Sequence, residues 1–171
     1  MHVSEAAQIN SEFNEYSTIL KNQIKQTIEM DKTSITVQAI INAPAEFVWK
    51  KWTTPEDIVK WNNASDDWHT TRAENNLIKG GRFLSRMEAI DGSMGFDFEG
   101  IYENVKTNEL LEYTIADGRK VKVEFTVENG KTKVTETFEA ENIHPAEAQR
   151  SGWQSILDNF KKHTESEIRK T

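Results

Sequence analysis

Cysteine is absent from this chain of 171 residues. Its absence excludes disulfides, thiolate nucleophiles and zinc sites built on cysteine, and makes the reducing cytoplasm the expected compartment. Proline is nearly absent too, at 3 residues. Pro44, Pro55 and Pro145 each open a helix-like segment, so no proline-rich linker divides the chain. No apolar run approaches the roughly 20 residues of a membrane-spanning helix. The opening Met1-His2-Val3-Ser4-Glu5-Ala6 has neither the basic nor the apolar stretch of a secretory signal. Basic residues are in deficit, with Lys and Arg at 21 against 28 Asp and Glu and a net charge of −7. Nucleic acid and anionic membrane are therefore not expected partners. Histidine is limited to 4, and no two stand at metal-ligand spacing, so no metal is expected. Gly80-Gly81 lacks the Lys and Ser/Thr of a phosphate loop, no Gly-x-Ser-x-Gly elbow occurs, and Asp66-Asp67 lacks the later ligands of a calcium loop. No cofactor is implied.

What is present reads as one domain with an appendage. Over residues 1–30, Ile9, Phe13, Tyr16, Leu20, Ile24 and Ile28 recur at three- and four-residue steps, which predicts an amphipathic helical extension. Its apolar stripe needs a cover, either its own domain or a second subunit, or else it is a mobile tail; monomer and homodimer both stay open. Residues 31–171 form the main domain. Ile35, Val37 and Ala39 alternate in a strand, and two short helices follow, the second capped by Thr54 ahead of Pro55. A polar loop over 62–69 carries Trp68 and His69. Strand-like segments then run almost to Asn142, joined at Gly80-Gly81, Asp91-Gly92, Asp117-Gly118 and Asn129-Gly130. A long helix begins at Pro145 and carries the stripe Trp153, Ile156, Leu157 and Phe160. Strands grouped together, not alternating with helices, give the α+β class.

Gly80-Gly81-Arg82-Phe83, Phe98-x-Gly100-x-Tyr102, Leu111-x-Tyr113, the Asp117-Gly118 turn, Gly152-Trp153 and Trp61 occur in an order that resembles the START-like (SRPBCC) superfamily. The resemblance is to bacterial proteins similar to the C-terminal domain of the activator of heat-shock-protein-90 ATPase, and spans about residues 33–163. It implies a helix-grip fold: a curved antiparallel sheet of six to seven strands wrapped around the long C-terminal helix, with a cavity between them. It does not carry over the co-chaperone role, because the eukaryotic activator has a separate N-terminal domain for which thirty residues are too few.

Strand parity and helix spacing nominate the cavity walls. Phe83, Ser85 and Met87 come from one strand, Phe96, Phe98, Gly100 and Tyr102 from the next, then Tyr113, Val123 and Phe125. Gln149, Gly152, Trp153, Ile156 and Phe160 come from the helix, and Trp68 and His69 from the mouth. Inward glycines at 100 and 152 would either leave room or let backbones approach. Glu136 shares a face with Val134 and Phe138 and is the inward carboxylate, with Arg86 its conceivable partner. The ligand-binding candidates are thus Trp68, Phe83, Met87, Phe98, Gly100, Tyr102, Tyr113, Phe125, Glu136, Gly152, Trp153, Ile156 and Phe160, with no catalytic residue assigned. Three functions compete. The first is non-catalytic binding of an apolar or lipid-like small molecule. The second is a cyclase- or lyase-like enzyme using Glu136, Arg86, Tyr102, Tyr113 or His69. The third is an interaction protein working through the first helix.

Overall fold

The structure is a computed structural model describing residues 2–30 and 32–171. The chain divides into two compact units, Met1–Thr33 and Ser34–Thr171. The first unit holds helix α1 (His2–Met30). Phe13, Tyr16, Leu20 and Ile24 on its stripe are exposed. The side chains of Ile9 and Ile28 lie outside the described residues.

The second unit runs β1 (Ser34–Ile41), α2 (Ala45–Thr53), α3 (Pro55–Trp61), β2 (Trp68–Asn75), β3 (Arg82–Ala89), β4 (Gly95–Lys106), β5 (Leu110–Ile115), β6 (Lys120–Glu128), β7 (Lys131–Glu139) and α4 (Ala146–Ile168). All seven strands form one antiparallel sheet in the order β1-β7-β6-β5-β4-β3-β2. With α4 packed on the sheet, this is the helix-grip fold and the class is α+β. Strand parity explains the inner face. Val121, Val123 and Phe125 on β6, and Val134, Glu136 and Phe138 on β7, are buried, while the residues between them are not. The β6–β7 turn places Asn129 and Gly130 both at positive φ, 51° and 76°, as a two-residue hairpin whose twist matches its strands requires. Register shifts between Thr70 and Arg72 on β2 and between Tyr102 and Asn104 on β4 are the bulges that add bend and twist to the sheet.

One free edge of the sheet, β1, is covered by α4. Arg150 Nη1 donates to the Thr36 carbonyl at 2.7 Å and Gln154 Nε2 to the Gln38 carbonyl at 3.2 Å. Outward-facing acceptors that could template another strand are thereby occupied. The packed core lies under the C-terminal half of α4. Leu157, Phe160 and Thr164 are fully buried there. Phe160 meets the Trp52 and Trp61 rings edge-on at 4.7 and 4.9 Å, and Phe125 packs against Trp49 and Trp52.

Three local expectations change. Trp68 and His69 are the first residues of β2, not loop; they pair with Ala89 and Glu88 of β3, because the strand carried by Thr70 and Thr71 extends back over them. Thr54 occupies the N-cap position of α3 without a side-chain bond, so the helix start rests on the fixed φ of Pro55. Gln149 is not a wall residue. Its amide bonds Glu141 and the His144 carbonyl and pins the segment that leads into α4.

Candidate functional site

Between the sheet and the N-terminal half of α4 lies a pocket of about 450 Å³. Its position follows from the uneven stripe on α4. Leu157 and Phe160 press onto the core, whereas Trp153 and Ile156, one turn earlier, line the pocket. The opposite wall is the inner face of β3 (Phe83, Ser85, Met87) and β4 (Phe96, Phe98, Tyr102). Trp52 of α2 and Ile58 and Trp61 of α3 form its boundary with the core, and Asn62, Ala64 and Ser65 of the α3–β2 loop border it. Trp68 stands 5.8 Å from the half-exposed Phe96. Trp153 is held flat against Phe138, with ring centroids 4.0 Å apart, and edge-on to Phe98.

Of the nominated residues, the pocket brings together Trp68, Phe83, Met87, Phe98, Tyr102, Tyr113, Glu136, Trp153 and Ile156. The other four sit elsewhere. Phe125 and Phe160 belong to the packed aromatic core. Gly100 is buried opposite Phe83, and a Cβ there would lie 2.8 Å from the Phe83 ring and 2.6 Å from the Thr114 carbonyl. That glycine permits a close approach; it does not leave a void. Gly152 has nothing within 4 Å of where a Cβ would project. Trp52, Ile58, Trp61, Glu74, Asn75 and Arg119 also line the pocket and were not nominated. Trp52 and Trp61 were visible as apolar positions on short helices, but nothing in the sequence says which strand pair those helices close.

The polar groups of the pocket are unequal. The Tyr102 hydroxyl donates to Asn75 Oδ1 at 2.9 Å, and Asn75 Nδ2 donates to the Thr53 carbonyl at 2.8 Å. Arg119 is held by Asp117 (Nε to Oδ2, 2.9 Å) and by the Glu139 carbonyl. Glu136 is 4% exposed; among the described residues it has no hydrogen-bond or ionic partner. Burial alone pushes its carboxyl from 4.5 up to about 8, since an apolar surround penalises the charged form. Burial likewise holds the Tyr113 hydroxyl well above its ordinary value, and the neighbouring Glu136 charge adds to the effect. Tyr102 is raised for the same first reason. At neutral pH the pocket therefore presents a protonated carboxyl and neutral phenols.

Arg86 is not the partner of Glu136. It lies on the outer face, bonded to Glu88 at 2.9 Å and Asp97 at 3.3 Å, because the parity that turns Ser85 and Met87 inward turns Arg86 outward. His69 is exposed and does not reach the pocket lining. Arg72, Glu99 and Glu124 make surface pairs with Glu74, Arg82 and Lys122. Sequence reasoning missed a second buried polar group. Asp57 on α3 takes Lys51 Nζ from α2 at 3.1 Å and His163 Nε2 from α4 at 2.8 Å. A carboxylate only accepts, so the imidazole Nε2–H donates. No group of three or more His, Asp or Glu that could hold a metal occurs among the described residues, and no described helix is long and apolar enough to cross a membrane.

Residues 42–165 match the family described as Activator of Hsp90 ATPase homolog 1-like protein. The chain belongs to this family. Among solved structures, the AHSA1-like protein from Aeromonas hydrophila is 46% identical, with 78% of this chain and 93% of that one covered and a TM-score of 0.74. A protein from Cytophaga hutchinsonii is 48% identical, with 81% and 96% covered and a TM-score of 0.69. A protein from Chromobacterium violaceum, 18% identical, shares the fold at a TM-score of 0.71 over 78% of this chain and 98% of its own. No curated protein matches the chain. Membership in this START-like family accounts for the sheet that grips α4, and the matched span leaves out α1.

Proposed function

We propose that this AHSA1-like domain binds an apolar small molecule in the pocket between β3–β4 and the N-terminal half of α4, without transforming it. The observation that carries the reading is the pocket itself: about 450 Å³ enclosed by Trp52, Trp61, Phe83, Phe98, Trp153 and Ile156. That size and mostly apolar lining, rich in aromatic rings and with several polar groups, suit a small organic ligand. Binding is favoured over a cyclase- or lyase-like reaction by the protonation state. With the Glu136 carboxyl raised to about 8 and both tyrosines raised, the buried titratable groups of the pocket are protonated at neutral pH, and Glu74, the other carboxylate of the lining, is exposed and paired with Arg72. A cytoplasmic setting suits the cysteine-free chain.

The test is titration of the full chain with the neutral dye N-phenyl-1-naphthylamine, read by dye fluorescence and by quenching of tryptophan. Saturable binding of one dye per chain is expected. Ser85→Phe, which places a ring inside the pocket, should weaken it by about tenfold or more while the circular dichroism spectrum is kept. Absence of saturable binding, or an unaffected Ser85→Phe variant, would overturn the reading. A second reading, self-association through α1, draws on the exposed Phe13, Tyr16, Leu20 and Ile24. Removing residues 1–29 should then lower the number of chains per particle in solution, read from the mass, and an unchanged oligomeric state removes that reading.

A further inference from the structure

Four polar-bearing side chains that line the pocket are less than a tenth exposed: Ser85, Tyr102, Tyr113 and Glu136. Tyr102 is committed to Asn75. Among the described residues the other three form no hydrogen bond; unlike the sealed Thr164 Oγ1, their oxygens are not closed off and can take a partner in the cavity. Glu136 and Tyr113 face the pocket from β7 and β5, with only β6 between them, close enough for the Glu136 charge to act on the Tyr113 hydroxyl. Ser85 lies further round the sheet on β3, paired with Phe98. The protein thus leaves a carboxyl and a phenol open toward the same cavity.

Given the ligand-binding role proposed for this pocket, we infer that its ligand carries an uncharged oxygen head, a hydroxyl or a carbonyl, that docks on the Glu136 carboxyl and the Tyr113 hydroxyl, with its apolar body against Phe83, Phe98 and Trp153. Both charged alternatives are disfavoured by the surroundings. A carboxylate head would find, among the described lining residues, only the Arg119 cation, whose charge is already shared with Asp117 and whose Nε and Nη1 are engaged by Asp117 and the Glu139 carbonyl. An ammonium head would need Glu136 ionised in an apolar surround, and a buried ion pair has to recover two desolvation costs. A neutral head requires neither. A protonated carboxyl can donate to a carbonyl or accept from a hydroxyl, and the phenol can equally do either.

The groups facing Glu136 make the arrangement pH-dependent in one direction. Tyr113 faces it from β5, with Tyr102 on β4 beyond, and Arg119 and Glu74 line the same pocket from the β5–β6 turn and from β2. The flanking strands place Val37 and Val123 opposite Glu136 in register, and α4 contributes Trp153 and Ile156. Once Glu136 ionises, near pH 8, it can no longer donate, and a carbonyl head keeps only one of its two donors, the Tyr113 hydroxyl.

The experiment is displacement of bound N-phenyl-1-naphthylamine from the full chain by decan-2-one, decan-1-ol, decylamine and decanoate, at about pH 6.5 and about pH 9.5. At the lower pH the ketone and the alcohol should displace the dye about fivefold to tenfold better than the amine or the acid. The ketone should lose that advantage at the higher pH. Glu136→Gln, whose amide both donates and accepts, should keep the preference at both pH values. Glu136→Leu should abolish it while still binding the dye. Dye binding with displacement indifferent to head group, or unchanged in Glu136→Leu, overturns the inference and leaves the pocket reading standing. Preferential displacement by decylamine overturns it in favour of a cation site. Absence of dye binding takes down both.

Discussion

Asp57 and Glu136 are both carboxylic acids and both almost fully buried, at 6% and 4% exposure, and they differ in what surrounds them. Asp57 is met by Lys51 and His163, so three helices, α2, α3 and α4, are pinned at one point. Lys51 also approaches Glu167, at 3.8 Å, and its carbonyl accepts from Trp61 Nε1. Among the described residues Glu136 is bonded to neither cation nor donor, and it opens on a cavity. The difference separates two uses of a buried charge. A paired carboxylate fixes the positions of the elements that carry its partners. An unpaired one costs stability and is understandable where something outside the chain completes it.

The sharpest way to break the comparison is to remove the paired acid. Asp57→Ala leaves the partly buried Lys51 and His163 without their shared carboxylate, and should lower the unfolding free energy by about 3 kcal/mol, the low end for a broken buried pair, read by chemical denaturation. Loss of under about 1 kcal/mol would show that the cluster is not a structural pin.

Glu136 should behave in the opposite sense. Its carboxyl is raised from 4.5 to about 8 in the folded chain. Between those values the native state keeps a proton that the unfolded state has released. Stability from this group is therefore complete below about pH 4.5 and is lost as pH climbs to about 8. At 1.36 kcal/mol per unit the loss is capped near ~5 kcal/mol; an effective dielectric well above that of a dry interior brings the expected figure to roughly 2–3 kcal/mol. Glu136→Gln should remove this slope, so that its advantage over the parent chain grows from about pH 5 to about pH 8.5. Parallel stability curves for the two proteins would show that Glu136 is solvated or partnered in solution.

How each acid could be seen in advance differs for a physical reason. Glu136 was legible because strand parity is local: Val134, Glu136 and Phe138 share a face whatever the rest of the chain does. The same parity, carried through from Ser85 and Met87, turns Arg86 outward and removes it as the partner first expected for Glu136. Asp57 looked like an acid in the first turn of a helix, and only the fold brings His163 to it across 106 positions. The order of strands, their turns and the pocket side of α4 followed from alternation and Asn-Gly or Asp-Gly signals. What separates lining from packed core did not. Phe125 and Phe160 carry the same inward signature as Phe98 and Trp153, and the distinction depends on where Trp52 and Trp61 close over the sheet.

Gly100→Ala tests whether the pocket wall beside Tyr113 can move without any change of charge. The new methyl would meet the Thr114 carbonyl, which is backbone and cannot swing aside, and the Phe83 ring that packs edge-on against Tyr113 at 4.8 Å. A loss of about 1–3 kcal/mol is expected, with the same pH dependence as the parent chain. A changed slope would mean that the Phe83–Tyr113 contact controls how Glu136 is desolvated.

Gly152→Ala is expected to have the smallest effect and the opposite sign. Gly152 lies inside α4, and a Cβ there would meet nothing within 4 Å, so the substitution adds helix propensity with no steric cost. The gain should be about 0.5–1 kcal/mol. It should be equal at about pH 5 and about pH 8.5, because neither buried carboxylate changes its surroundings. Dye affinity should also stay as it was, since Gly152 is outside the lining while Trp153 is part of it. A gain in stability accompanied by weaker dye binding would contradict this. It would mean that α4 needs the flexibility of Gly152 to admit a ligand beneath Trp153, and that the open end of the helix, unlike the end pinned by Asp57, has to move.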